Sequence, residues 1–176
     1  MSDRPSLLPV SICIIAYNEE AHIASCLDSV ADRAAEVVVL NAESTDKTAE
    51  IVERYRQKYP GVVLMTAPNT FKYNINKMKT FHKATQPWIF YLDADERLTP
   101  ELWDEIGDVI ETDRYDGYLV GRKNFYFGKW MRFGGMYPEK QPRLFRQGKG
   151  SFSLEHVHAT LDIDGPVGEL EQPFLH

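Results

Sequence analysis

Between residues 10 and 109 the chain repeats one pattern four times: a short, continuous apolar run, a polar turn, then apolar residues at helical spacing. The runs are Val10 to Ala16, Glu36 to Asn41, Val62 to Met65 and Trp88 to Leu92. A strand that is apolar at every position is buried on both faces, which is the state of a strand in a parallel sheet covered by helices. The segments between them carry the matching helical pattern. Ile23, Leu27 and Val30 recur at i, i+4 and i+7 in a helix predicted over Glu19 to Ala31, with Asn18 as its cap. Further helices are predicted from Ser44 to Lys58 and from Asn74 to Ala84, and after Thr99-Pro100, a capping residue followed by proline at the first helical position. Asp116 to Gly121 reads as one more strand, after which regular alternation gives way to aromatic loop and irregular strand. The fold class is therefore α/β: an open, mostly parallel sheet with helices on both faces, in one domain spanning 1–176.

At 176 residues a chain buries enough of itself to fold without a disulfide or structural metal. Cys13 and Cys26 lie inside apolar patterns and are expected in the core. No apolar run approaches the ~20 residues of a membrane-spanning helix, and Met1 to Pro5 lacks the shape of a secretory signal, so a cytoplasmic location is expected. The final residues, Gln172 to His176, stop in an apolar stretch, and the natural chain is expected to continue.

The formal charge of −6 is unevenly spread. Residues 121–150 hold eight basic side chains against one acidic, +7, while the remainder carries 12 basic and 25 acidic, −13. The basic island also holds Phe125, Tyr126, Phe127, Trp130, Phe133, Tyr137 and Phe145. Cationic and aromatic together, it suits an anionic or sugar-bearing partner, and a peripheral contact at the inner face of a membrane. Nucleic acid is excluded as partner by the acidic remainder and the lack of a recognition motif.

In open α/β sheets ligands bind beyond the carboxyl ends of the strands. Here those ends read Ala16-Tyr17-Asn18-Glu19, Asn41-Ala-Glu43-Ser-Thr-Asp46 and Asp93-Ala94-Asp95-Glu96. Neither GxGxxG nor GxxxxGK[ST] is present, which disfavours dehydrogenases and P-loop NTPases. Carboxylates and amides stand where a glycine loop would cradle phosphate. Such a site holds phosphates only with a divalent cation between, and hard oxygen ligands such as Asp93 and Asp95 suit Mg2+ or Mn2+.

Assembled, these three strand ends resemble those of the inverting glycosyltransferases of family 2, which have the GT-A nucleotide-diphospho-sugar fold. Ser11 to Glu20 resembles the family's opening strand and turn, Glu36 to Thr48 its second motif, and Trp88 to Glu96 its DADE motif. Arg143-Leu-Phe-Arg146 followed by Val157-His158 is similar to the bacterial branch that includes lipopolysaccharide-core β-glucosyltransferases. The resemblance implies a nucleotide-sugar-binding half at about 10–98 and an acceptor-binding half at about 99–176. It implies metal-dependent transfer of a hexose from a nucleotide sugar, UDP-linked, to a saccharide or lipid-linked saccharide of the cell envelope. Two alternatives are a binding protein that has lost turnover and, less favoured, a sugar-phosphate nucleotidyltransferase.

Carried over by residue, the resemblance sets Ala16, Tyr17, Asn18 and Glu19 against the nucleoside and Asn41 against the base, where the family has Asp. An amide at position 41 remains compatible with uracil. Glu43 and Asp46 organise the turn. Asp93 and Ala94 belong to the donor site, Asp95 to the metal with Asp93 beside it, and His176 matches a histidine near the diphosphate. Of Lys77 and Lys79, which point apart on a helix, Lys77 is favoured for the diphosphate. Trp130, Arg143 and His158 fall on the acceptor side. The general base is open: relatives read V-H-E where this chain has Val157-His158-Ala159, leaving Glu155, four residues earlier, and Glu139 as candidates, ahead of His158, Asp162 or loss of activity.

Overall fold

The computed structural model describes residues 7–70, 73–123, 125–126, 129–130, 139–152 and 160–176, with only the backbone described at 125–126 and 129–130. In chain order the elements are β1 (Leu8–Ala16), α1 (Ile23–Asp28), β2 (Ala34–Asn41), α2 (Thr48–Lys58), β3 (Val62–Thr66), α3 (Tyr73–Lys83), β4 (Trp88–Asp93) and α4 (Pro100–Ile110). They continue with β5 (Gly117–Lys123), β6 (Phe125–Tyr126), β7 (Lys129–Trp130), β8 (Glu139–Arg146), β9 (Gly150–Phe152), β10 (Leu161–Ile163), β11 (Val167–Glu169) and β12 (Phe174–Leu175). The main sheet has eight strands in the order β11-β5-β8-β4-β1-β2-β3, with β12 also on β5. Strand β8 runs antiparallel to β4 and β5, and the other pairings in this sheet are parallel. The short hairpins β6–β7 and β9–β10 stand outside it.

Right-handed crossovers explain most of the layering. From β1 to β2 to β3 the chain steps in one direction, so α1 and α2 fall on one face. It then returns past β2 and β1 to reach β4, which sends α3 to the other. Ile23, Leu27 and Val52 accordingly join Ile12, Ile14 and Phe90 in one core layer, together with Leu102, Trp103 and Ile106 of α4. Phe81 of α3 packs with Cys13, Ile89, Phe145 and Phe152 in the other. Both cysteines are buried and free, and burial pushes the Cys13 thiol up to about 12.

Strand order reverses between β1 and β4, which opens a crevice at their carboxyl ends. A second opening arises because β4 and β8 splay. Their pairing is confined to Trp88–Phe90 against Leu144–Arg146. Next on β8 are Arg143 and Pro142, and a proline has no N–H to continue a ladder.

Two expected helix starts are corrected. The first helix begins at Ile23, not Glu19, with His22 as a cap residue that makes no side-chain bond. Asn18 is no cap: it has φ 53° and bonds to the second loop. The second helix begins at Thr48 because the polar residues before it are engaged across the loops. Thr99 and Pro100 cap α4 as expected, the Thr99 side chain accepting from Leu102 N–H. Among the described residues no helix is long and apolar enough to cross a membrane.

Candidate active site

The loops after β1 and β2 are laced together. Asn18 N–H donates to Ser44 Oγ (3.0 Å), and Asn18 Oδ1 accepts from Thr45 N–H (2.8 Å). Glu19 N–H donates to Thr48 Oγ1 (2.8 Å) and Glu20 N–H to Asp46 Oδ2 (3.0 Å). Asp46 Oδ1 also accepts from the N–H and hydroxyl of Thr48. Desolvation would raise the Asp46 carboxyl, but the donors from Thr48 and Glu20 hold it below its usual range. These polar side chains thus fix the floor of the site rather than face a ligand. Glu43 is exposed with φ 56°, and Asn41 is buried, its Oδ1 accepting from Ser44 N–H at 3.1 Å.

Around this floor lies a cavity of about 360 Å³ at the topological switch point. Ala16, Tyr17 and Glu19 line it after β1, Ala42 after β2, and Asn69, Tyr73 and Asn76 before and on α3. Asp93, Ala94, Asp95 and His176 close it, with His176 Nε2 3.3 Å from Asp95 Oδ2. Burial, then the nearby Asp95 charge, push the Glu19 carboxyl above its usual range; His22 opposes, and Asp46 and Asp93 add to the rise. A negative field of this kind welcomes a cation.

The turn after β4 is built from beneath. Asp93 N–H donates to Glu96 Oε2 (2.9 Å), and Glu96 N–H to the Asp93 carbonyl (3.0 Å). Glu96 is fully buried and pairs at 2.8 Å with Arg143 Nη2, itself 3% exposed. Arg143 Nη1 donates to the Tyr91 carbonyl (3.2 Å), and its guanidinium lies over the Tyr91 and Phe174 rings. The two backbone groups that β8 leaves unpaired by splaying away, Tyr91 C=O and Asp93 N–H, are therefore satisfied by this ion pair. Burial pushes the Glu96 carboxyl up, while Arg143 pulls it back. Arg143, expected on the acceptor surface, is a buried support for the Asp93 turn. Glu96 stands in the sequence only as the last residue of the DADE motif, with nothing there to mark it as the partner of Arg143.

A second cavity, of about 400 Å³, occupies the splay. Lys77, Tyr91, Asp93, Arg122, Glu139, Arg143 and Phe152 are among its lining residues. Asp93 lines both cavities. The Tyr91 hydroxyl donates to Asp93 Oδ1, and Arg143 Nη2 lies 3.7 Å from Asp93 Oδ2. Burial would raise the Glu139 carboxyl, but Gln141 Nε2 (3.0 Å) and Arg122 Nη2 (2.7 Å) donate to it and hold it below its usual range. Lys77 lines this cavity rather than the first.

The structure thus brings Ala16, Tyr17, Glu19, Asp93, Ala94, Asp95 and His176 together, and sets Lys77, Glu139 and Arg143 across Asp93 from them. Asn18, Asn41 and Glu43 do not line the first cavity. Glu155 and His158, and the side chain of Trp130, lie outside the described residues. Asn69, Tyr73 and Asn76 were missed, because the loop before α3 gave no motif. Among the described residues no three His, Cys, Asp or Glu side chains converge as a self-sufficient metal site. A Mg2+ that keeps one or two carboxylates and completes its shell with phosphate oxygens needs no such cluster.

A family model for glycosyl transferase family 2 matches residues 11–160. The chain belongs to that family. It is 33% identical over 163 residues to the lipopolysaccharide core biosynthesis glycosyltransferase LpsC of Rhizobium meliloti, an alignment covering 92% of this chain and 60% of LpsC. The SPbeta prophage-derived glycosyltransferase SunS of Bacillus subtilis is 36% identical over 157 residues, covering 79% of this chain and 35% of SunS. The chain therefore spans only part of the length of these relatives. Among solved structures, S. aureus TarS in complex with UDP superposes with a TM-score of 0.75 at 19% identity, covering 96% of this chain and 60% of that one. The mannosyltransferase PcManGT from Pyrobaculum calidifontis, in complex with GDP-Man and Mn2+, gives 0.68 at 16% identity over 99% of this chain and 58% of that one. The fold is GT-A, as the strand pattern and motifs led us to expect.

Proposed function

We propose that this family 2 domain catalyses inverting, cation-assisted transfer of a hexose from a UDP-linked donor to a saccharide or lipid-linked saccharide of the bacterial cell envelope. One observation carries the reading: two cavities at the carboxyl edge of the sheet meet at Asp93. The first suits the nucleotide, with the Ala16–Glu19 turn against the nucleoside and Asp95 and His176 toward the diphosphate. The second suits the acceptor. LpsC, named for lipopolysaccharide core biosynthesis, supports the envelope assignment, and TarS bound to UDP supports the uridine donor.

The donor set, a carboxylate and an imidazole in a field that raises Glu19, fits a hard divalent cation. Asp95 and His176 would hold it, with Asp93 beside them; a bound Mg2+ or Mn2+ supplies positive charge against that gathering on the departing diphosphate. The chain's residues do the rest. Tyr91 and Arg143 keep Asp93 oriented between donor and acceptor. A carboxylate takes the proton of the attacking hydroxyl, and Glu155 is assigned that role, since Arg122 and Gln141 make Glu139 a weak proton acceptor.

The test incubates the protein with Mn2+, a panel of nucleotide hexoses and candidate glycan acceptors. UDP release with glycosyl transfer supports the proposal. Pyrophosphate release from UTP and hexose 1-phosphate indicates a nucleotidyltransferase, and tight UDP–Mn2+ binding without turnover indicates a binding protein. Glu155→Gln is expected to lower kcat about tenfold or more, with UDP affinity within about threefold of the parent. If it is as active as the parent and Glu139→Gln is not, the base is Glu139.

A further inference from the structure

Helix α3 serves both cavities with adjacent residues. Tyr73 and Asn76 line the first, while Lys77, turned about 100° further round the helix, lines the second. The Lys77 ammonium lies 4.4 Å from the centre of the Tyr91 ring and 5.0 Å from that of Phe152. Contacts of this kind fix a cation in place without neutralising it.

The other cations of the second cavity are occupied. Arg122 pairs with Glu139 at 2.7 Å, Arg143 with Glu96 at 2.8 Å, and Lys140 with Glu169. Lys77 has no ion-pair partner among the described residues. Its neighbour Asp93 already accepts from Tyr91 and faces Arg143. Burial, the largest influence, pulls the Lys77 ammonium below its usual range; Asp93 opposes this, and Arg143 adds to the fall. A desolvated cation held at a cavity wall by aromatic rings, with no ion pair among the described residues, offers a place for an anion.

We infer that Lys77 binds an anionic substituent, phosphate or carboxylate, on the sugar that occupies the second cavity. Tyr91 and Phe152 offer aromatic surface beside that substituent, and Asp93 at the back of the cavity repels a second negative charge, which limits the ligand to one anionic group near Lys77. The inference rests on reading the second cavity as the acceptor side, and it assigns Lys77 away from the donor diphosphate.

The experiment titrates the protein calorimetrically with glucose 6-phosphate, with glucuronate and with glucose, each with and without saturating UDP–Mn2+. At least one charged sugar is expected to bind about tenfold more tightly than glucose, and which one identifies the anion. Lys77→Met, which keeps the apolar stem, should abolish that preference while UDP affinity stays within about threefold of the parent; Lys77→Arg should retain it. Equal affinity for all three sugars overturns the inference. So does a tenfold loss of UDP affinity in Lys77→Met, which returns Lys77 to the diphosphate. A parent that does not bind UDP–Mn2+ overturns the donor reading instead, and the nucleotide-free titrations still decide the role of Lys77.

Discussion

At the scale of single residues, Glu96 and Arg143 explain why the β4 end can leave its neighbour strand and stay ordered. Together they replace the ladder that β8 stops supplying: Glu96 accepts from Asp93 N–H and Arg143 donates to Tyr91 C=O. Removing one member strands the other as a buried charge. Glu96→Gln is therefore expected to cost about 3–5 kcal/mol, read from urea unfolding. Replacing both, Glu96→Leu with Arg143→Met, should recover only part of that stability, because it removes the stranded charge but leaves Tyr91 C=O and Asp93 N–H without partners. UDP affinity should stay weakened in the double variant, since two backbone groups beside Asp93 still lack partners; recovery of stability and affinity together would reduce the pair to packing. Asp93, Asp95 and His176 were legible because each could be read off a strand end or matched to a motif. The Glu96 partner was not, because Arg143 is 47 residues away and reaches it only where Pro142 opens the sheet.

At the scale of elements, the apolar runs placed the first four strands well, since burial on both faces leaves a signal in every residue. Helix starts were read less well. Asn18 and Ser44 are good local caps, and local preference cannot reveal that they are engaged by the facing loop instead, or that Asp46 bonds Glu20 N–H across the loops as well as Thr48 beside it. This lacing gives the site a pH dependence with a definite sign. The Asp46 carboxyl lies below its reference value of 3.8 in the folded chain, so its stabilising bonds are intact above that pH and are lost as pH falls through the folded value. In thermal melts at descending pH, Asp46→Asn should start below the parent and converge on it in acid, because both then lack the charge. Profiles that remain parallel down to roughly pH 2 would show that the laced loops do not depend on that carboxylate.

At the scale of the whole molecule, the site joins chain segments that are far apart in sequence. Strand β12 returns to the edge of the sheet on β5, and Leu175 exchanges backbone bonds with Arg97, just past the Asp93 turn (3.0 and 2.9 Å). Phe174 is fully buried with the Arg143 guanidinium 4.6 Å from its ring centre, and two residues on His176 reaches Asp95. The strand that carries His176 is thus anchored on the same arginine that supports Asp93, which makes the Asp95–His176 pair a property of the assembled sheet. Phe174→Ala should cost about 3–5 kcal/mol of stability through the cavity it leaves. It should also weaken the Mn2+-dependent part of UDP binding, because the anchor of His176 is lost. His176→Ala separates the two effects: its half-exposed imidazole contributes little to the core, so stability should stay within about 1 kcal/mol while the Mn2+ dependence falls as in Phe174→Ala. Calorimetric UDP titrations with Mn2+ and with EDTA, run on both folded variants, make the comparison. Unchanged Mn2+-dependent affinity in Phe174→Ala would mean that β12 does not deliver His176 to the metal, and that Asp95 holds the cation without it.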